Sequence, residues 1–232
     1  MSGERTVLAV DVGGSHVKVL VSGETESRRE LSGPTLTPEE MTAAALKAAG
    51  GWHWDVVTVG VPAPVHGGRV VSDPFNLGKG WVGFDFERAF GAPTKVMNDA
   101  AMQALGSYDG GTMLFLGLGT GLGTALIAGG IIEPMEIGHL PFKKRTFEDY
   151  LGDEGRRKRG NKRWRALVAE AVERLDAALE PDSIVIGGGN STKLGTVPPK
   201  VKLGDNANAF AGGFRIWSPA PVPGGAAAAT TA

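Results

Sequence analysis

Two short segments of this 232-residue chain have the residue types needed to hold a phosphate chain. Asp11-Val12-Gly13-Gly14-Ser15 sets a carboxylate beside a glycine pair, and Leu118-Gly119-Thr120-Gly121-Leu122-Gly123 sets a hydroxyl among three glycines. Binding phosphate by backbone requires several N–H groups brought close with no Cβ in the way, which glycine permits. Asp11 would then hold magnesium through water, because that ion takes few protein carboxylates and keeps much of its hydration shell. Tight hairpins without a ligand would use the same residues, so either segment alone leaves both readings open. A third cluster, Gly187-Gly188-Gly189, follows an apolar run and favours the ligand reading. None of the three matches the GxxxxGK[ST] phosphate loop. Asn98-Asp99 precedes Ala100-Ala101 and also admits two readings. The pair could cap a helix, or Asp99 could take a proton from a substrate hydroxyl that Asn98 orients. Phosphoryl transfer asks mainly for positioning, charge neutralisation and one such base.

The elements that must carry these residues follow from periodicity. Val7–Val10 and Val17–Val21 read as a β-hairpin with its turn at Asp11–Gly14. Thr37–Ala49 reads as a helix, and Val56–Val61 as a buried strand stopped by Pro62 and Pro64. Lys95–Met97 is a short strand ahead of a helix from Asp99 to Leu105, ended by Gly106. The hairpin pattern returns with strands Met113–Leu116 and Thr124–Ala128 around a Gly117–Gly123 turn, as if a lobe were repeated. Trp164, Leu167, Val168, Ala171, Val172, Leu175, Ala178 and Leu179 keep helical spacing up to Pro181. Ser183–Ile186 is a strand leading into the triple glycine, and Asn206–Phe214 is the last helix. From Ser218 the composition is Pro, Gly, Ala and Thr, which predicts a disordered tail.

Composition narrows the function. The net charge of −1 argues against a nucleic-acid partner, and the absence of cysteine excludes disulfides and thiolate metal sites. The start lacks a signal-peptide apolar run and no stretch is long enough to span a bilayer, so a cytoplasmic location without membrane contact is expected.

Together these segments resemble the sugar kinases of the ROK (repressor, open reading frame, kinase) family. AVDVGGSHVKV is similar to that family's first phosphate motif, MNDAAMQALG to the segment with its catalytic aspartate, and LGLGTGLGTALI to its second phosphate motif. EIGHLPF resembles its sugar-binding Glu-x-Gly-His motif and IVIGGGN its adenosine-side strand. The resemblance implies an α/β chain with the two-lobed actin-like ATPase (ribonuclease H-like) fold, mixed sheets and flanking helices. It implies a smaller lobe at 1–109 completed by about 205–217, a larger lobe at 110–204, and the tail at 218–232. By position Asp99 is the base, and Asn76, Asn98, Glu136, His139 and Glu148 bind sugar hydroxyls. Asp11, Gly13, Gly14, Ser15, Lys18, Gly119, Thr120 and Gly121 surround the phosphates and magnesium, with Gly187, Gly188 and Gly189 on the nucleotide side. Taken without the resemblance, His139 reads rather as a core histidine, Glu148 as a helix cap and Asn76 as a turn residue. A homodimer acting in carbohydrate metabolism and glycolysis is expected.

The chain departs from the family in one respect. Many members follow Glu-x-Gly-His with a cysteine-rich zinc-binding stretch, where this chain has Lys143-Lys144-Arg145-Thr146-Phe147-Glu148 and no cysteine. No zinc is expected, and this form resembles the polyphosphate glucokinase branch. Residues 143–165 hold ten Lys or Arg against four acids, within a chain that is nearly neutral. Polyphosphate is a polyanion that would follow such a basic track, with Arg156, Arg157, Lys158 and Arg159 at its centre. ATP remains open as donor, and a solvated charged surface would look the same. The implied activity is phosphorylation of glucose at its 6-hydroxyl from polyphosphate, ATP or both. The alternatives are an ATP-dependent kinase of another hexose and a non-catalytic sugar-sensing regulator. A first strand near Thr6 is expected to leave no room for a regulator's helix-turn-helix domain.

Overall fold

The computed structural model describes residues 5–205 and 207–218. In chain order the first elements are β1 (Val7–Val12), β2 (His16–Val21), β3 (Arg28–Leu31), α1 (Pro38–Ala48), β4 (Val56–Val61), β5 (Val65–His66), β6 (Arg69–Val70), α2 (Phe86–Phe90), β7 (Thr94–Asn98) and α3 (Asp99–Ser107). There follow β8 (Thr112–Leu118), β9 (Leu122–Ala128), β10 (Ile131–Met135), β11 (Pro141–Phe142), β12 (Arg145–Thr146), α4 (Phe147–Leu151), α5 (Asp153–Leu179), β13 (Ser183–Gly187), β14 (Val201–Leu203) and α6 (Asn208–Arg215). Of the described residues, 5–106 and 207–218 form one compact unit and 107–205 a second. The tail expected from Ser218 lies outside the described residues except for Ser218 itself. No helix among the described residues is long and apolar enough to cross a membrane.

The first unit is built on a five-stranded sheet of order β3-β2-β1-β4-β7. β1 runs antiparallel to β2 and parallel to β4, which is parallel to β7. All six residues of β1 and of β4 are buried, as expected for central parallel strands covered on both faces. β2 buries alternate residues, and the charged edge strand β3 lies beyond it. A charged edge of this kind resists further strand pairing. α1 starts with a capping box, in which Thr37 and Glu40 exchange side-chain and backbone hydrogen bonds.

The second unit repeats this plan. Its sheet has the order β10-β9-β8-β13-β14, with β8 antiparallel to β9 and parallel to β13. The repetition legible in two glycine turns therefore extends to the connectivity of both sheets. The core of this unit gathers Leu114, Leu116, Phe142, Trp164 and Ile186, and the buried Trp164 indole donates to the Leu151 carbonyl at 2.8 Å.

Several expected boundaries move. Asp11 and Val12 belong to β1, paired with Lys18 and Val17, so the first turn is only Gly13–Ser15. Strand pairing likewise runs to Leu118 and Leu122, which leaves Gly119–Gly121 as the second turn. Gly106 does not end α3, which continues to Ser107. A Cβ on Gly106 would collide with the Asn208 carbonyl, and one on Gly212 with the Met102 carbonyl. These glycines allow α3 and α6 to cross backbone against backbone. The helical spacing up to Leu179 belongs to α5, which starts much earlier, at Asp153, and kinks at Gly160 (φ 73°). The last helix starts at Asn208 rather than 206, and β3, β10, β14 and α2 had no periodic signal strong enough to be read.

Candidate active site

In the first unit the hairpin β1–β2 closes with the Gly13 N–H donating to the His16 carbonyl at 3.0 Å. Asp11, on β1 just before the turn, is almost fully buried, and Lys18 on β2 reaches its carboxylate at 3.3 Å. Burial pushes the Asp11 carboxyl above the usual carboxylate range, against the opposing charge and hydrogen bond of Lys18. A buried acid held mainly by one lysine is short of positive charge. A hydrated divalent cation at the mouth of a Cβ-free turn fits that donor set, since magnesium commonly takes one or two carboxylates and completes its shell with water and phosphate. Asn76 lies against the same turn: a Cβ on Gly14 would stand 3.1 Å from its Nδ2. Ser15 is exposed on the turn.

The helix-cap question at 98–99 is answered by geometry. Asn98 is the capping residue, because its Oδ1 accepts from the Ala101 N–H at 3.1 Å and its Nδ2 donates to the Ala63 carbonyl at 3.2 Å. Asp99 is the first residue of α3, half-buried, and its Oδ1 accepts from the Ala100 N–H at 2.8 Å. Asn98, three residues before Ala101, therefore performs the capping role, and Asp99 follows it as the first helical residue.

In the second unit Glu136, His139 and Glu148 come together. Glu136 follows β10, and the short 3-10 turn Ile137–His139 swings His139 back so that its N–H donates to the Glu136 carbonyl at 3.1 Å. Gly138 allows this turn to press on its neighbours, since a Cβ there would meet the Leu122 carbonyl at 3.0 Å and the Glu148 Cβ at 3.6 Å. Partial burial pushes the Glu136 carboxyl up, His139 pulls it down by less, and the Glu148 charge pushes it up further. Glu148 is not a cap. Thr146 caps α4 in a capping box with Asp149. The Glu148 Oε2 instead accepts from the Leu122 N–H at 3.0 Å, and its carboxylate occupies the space a Cβ on Gly121 would take.

The second glycine turn is braced by residues that local spacing did not flag. The Asp153 N–H donates to the Gly119 carbonyl at 3.0 Å, and Asn190 Nδ2 donates to that same carbonyl and to Asp153 Oδ1, both at 3.2 Å. Arg156 holds Asp153 Oδ1 through Nε and Nη2 at 3.1 and 2.8 Å, and this hydrogen bonding is the main cause holding the Asp153 carboxyl below the usual range. Lys193 Nζ donates to Asn190 Oδ1 at 2.6 Å. Gly188, at φ 81°, stands where any Cβ would meet the Leu118 backbone at 2.5 Å, and thereby seats the triple glycine against the end of β8. Gly119 and Gly189 differ from these: both lack a positive φ and nothing lies within 4 Å of where a Cβ would be. Their missing side chains leave open space that a ligand could enter. Thr120 between the turn glycines is exposed.

The four residues at the centre of the basic segment are occupied locally. Arg156 bonds Asp153 and Asn161, Arg157 pairs with Asp153 at 3.0 Å, and Lys158 pairs with Glu154 at 2.5 Å. Arg159 donates to the Asp149 and Gly155 carbonyls and lies over the Tyr150 ring. Among the described residues no group of three or more His, Asp or Glu side chains is placed to hold a metal by itself.

The model of the ROK family matches residues 7–157, well over half of the chain and including both glycine turns, Asp99 and the Glu136–Glu148 cluster. The chain belongs to the ROK family. It is 28% identical over 214 residues to a polyphosphate glucokinase of Mycobacterium tuberculosis, covering 82% of this chain and 80% of that protein. Among solved structures, the inorganic polyphosphate/ATP-glucomannokinase from Arthrobacter sp. strain KM superposes with a TM-score of 0.80 at 22% identity, over 91% of this chain and 98% of that one. The ROK family glucokinase from Streptomyces griseus, solved with glucose and AMPPNP, gives 0.71 at 18% identity, over 91% and 98%. The fold of this ROK protein is therefore the actin-like ATPase fold, and each sheet's order is that fold's repeated core.

Proposed function

We propose that this ROK protein is a glucokinase that moves the terminal phosphoryl group of polyphosphate or ATP to the 6-hydroxyl of glucose. The chain is a sugar kinase. The observation that carries the reading is the hydrogen bond from the Leu122 N–H to Glu148, with Glu148 packed on Gly121. It joins the carboxylate–histidine cluster and the glycine turn into one rigid piece, so a polar sugar subsite and a phosphate subsite keep a fixed spacing. Fixed spacing is the main protein contribution to phosphoryl transfer.

In this reading Asp99 accepts the 6-hydroxyl proton as that oxygen attacks the terminal phosphorus. The bridging P–O bond breaks and its electron pair leaves on the shortened polyphosphate or on ADP. Asn76, Asn98, Glu136, His139 and Glu148 hold the remaining hydroxyls. A site selective among epimers needs several such fixed partners. Backbone N–H groups of Gly13, Gly14, Gly119 and Gly121, with Ser15, Lys18 and Thr120, receive the phosphates, and Gly187–Gly189 receive the nucleotide when ATP is the donor. Asp11 would hold magnesium through water, which supplies charge neutralisation on the transferred and leaving oxygens. The reading needs no zinc, since the stretch after His139 contains no cysteine.

The names of similar proteins support glucose as acceptor and polyphosphate as one donor. The test is direct: purified protein with glucose, mannose, fructose and N-acetylglucosamine, each with ATP or polyphosphate. Glucose 6-phosphate formed faster than any other product supports the reading. Sugar binding without phosphorylation from either donor would replace it with a sensor.

A further inference from the structure

The strongest unassigned feature is a basic cavity of about 520 Å³ in the second unit, walled by the β11–β12 hairpin, α4 and α5. Lys143, Lys144 and Arg163 line it together with Tyr150, Leu167 and Glu170. Glu170 is already shared, by Lys143 at 2.6 Å and Arg174 at 2.8 Å. The cavity is thus lined by three cations and one carboxylate, and Arg174 from outside the lining shares that carboxylate. Lys144 and Arg163 are exposed and, within the described residues, have no hydrogen bond or ion pair. Among the described residues the Tyr150 hydroxyl has no hydrogen bond either. The side chains of Arg156–Arg159 are bound to neighbouring acids and carbonyls, whereas Lys144 and Arg163 hold charge that no group among the described residues answers.

We infer that this cavity is a holding site for a run of phosphates in the polyphosphate donor, away from the phosphate being transferred. The inference rests on the polyphosphate reading proposed above. Its geometry follows from α4. Glu148 and Tyr150 are two residues apart on that helix and so point to nearly opposite sides. Glu148 faces the Gly121–Leu122 turn and Tyr150 faces the cavity, so α4 is the wall between the two phosphate-binding regions. A linear polyanion is a ligand that can occupy both, while a single nucleotide is too short in charge to need the second. The cavity suits condensed phosphate better than single-stranded nucleic acid. The latter gains much of its affinity from bases stacked on aromatic faces, and the face of Tyr150 is already covered by the Arg159 guanidinium at 4.2 Å.

The experiment uses the full chain, wild type and the double variant Lys144→Ser/Arg163→Ser, with Lys144→Arg/Arg163→Lys as the charge-keeping control. Thermal unfolding of all three is measured first, and both substituted residues are exposed. Equilibrium binding of long-chain inorganic polyphosphate is then followed against salt, and glucose phosphorylation is followed with long-chain polyphosphate and with ATP. The Ser/Ser variant is expected to bind polyphosphate about tenfold more weakly at low salt, with a log–log salt slope shallower by about 1.5, because two cations no longer release counterions. The ATP KM and kcat stay at wild-type values, and the charge-keeping control binds like wild type. An unchanged polyphosphate Kd, an equal rise in the ATP KM, or displacement of polyphosphate by single-stranded RNA at equal phosphate concentration would each overturn the inference. Failure of the donor reading looks different: polyphosphate would bind in a Lys144- and Arg163-dependent way without phosphorylating glucose.

Discussion

Asp99 and Glu136 are the two carboxylates whose chemistry can be separated by experiment. Because Asn98 caps α3, replacing Asp99 with Asn removes a base without removing a cap. Asp99→Asn is expected to unfold at the wild-type temperature and to lose roughly 10²–10⁴ in kcat, the usual worth of a positioned base. A folded variant that loses less than about threefold would take the base role away from Asp99. Glu136 has a carboxyl raised mainly by partial burial. A raised carboxyl takes its proton at higher pH than a free glutamate, so an acceptor role toward glucose fails early on the acid side. The glucose KM is expected to climb as pH falls through that raised value in the wild type, and to stay flat over the same range in Glu136→Gln. The stability sign is opposite. A folded-state pKa above the unfolded value of 4.5 means its stabilising contribution is present below pH 4.5 and is lost as pH rises through the raised value. Glu136→Gln should therefore be the more heat-stable protein at neutral pH while binding glucose less well. A variant less stable than wild type at neutral pH would show that the carboxylate is satisfied by its surroundings.

The glycines separate at the level of elements into those that packing demands and those it does not. Gly106 lets α3 pass over α6, and a methyl group there meets the Asn208 carbonyl. Gly106→Ala is expected to lose about 1–3 kcal/mol by overpacking, despite the better helix propensity of alanine, and to lower Tm by several degrees. Gly119 has open space where a Cβ would stand. Gly119→Ala should keep its Tm and raise the KM for the phosphoryl donor, whichever donor is used. An unchanged donor KM would make that turn a plain hairpin. The first turn of α5 is a third such case. Arg156 is mostly enclosed, with 16% of its side chain exposed, and it fixes the Asp153 and Asn190 brace under the second glycine turn. Arg156→Ala is expected to impair ATP and polyphosphate use alike, because it loosens the turn that either donor needs. A loss confined to polyphosphate would return Arg156 to the donor track.

On the scale of the whole molecule, charge is distributed unevenly. The chain is nearly neutral, yet residues 143–165 carry six more cations than acids, and the unpaired part of that excess lies in the second unit. The polyphosphate KM should rise steeply with added salt while the ATP KM changes little, since counterion release scales with the number of phosphates contacted. Parallel salt dependences would mean that both donors meet only the glycine turns. The first unit, for its part, is finished by residues remote in sequence. α6 and its flank return to it through Thr58 Oγ1 donating to the Gly213 carbonyl at 2.7 Å and Trp217 Nε1 donating to Thr58 Oγ1 at 2.8 Å.

The sequence by itself determined the central strands of both sheets, the two glycine turns, the family motifs and the residue types at the candidate site. These depend on local pattern: β-branched runs make strands, and a glycine pair between them makes a turn whatever the rest of the chain does. Tertiary structure alone decided three further matters. It assigned the cap of α3 to Asn98 rather than Asp99, because the cap belongs to whichever oxygen reaches the free N–H groups, and that depends on where β7 ends. It turned Gly106 from an apparent helix stop into a helix crossing, because its reason is the Asn208 carbonyl, about a hundred residues away. It also divided ten basic residues that look alike in sequence into bound and open ones. A charge is neutralised by neighbours in space, and only the packing of α4, α5 and the β11–β12 hairpin shows that Arg156 is answered by Asp153 while Lys144 and Arg163 are left facing solvent.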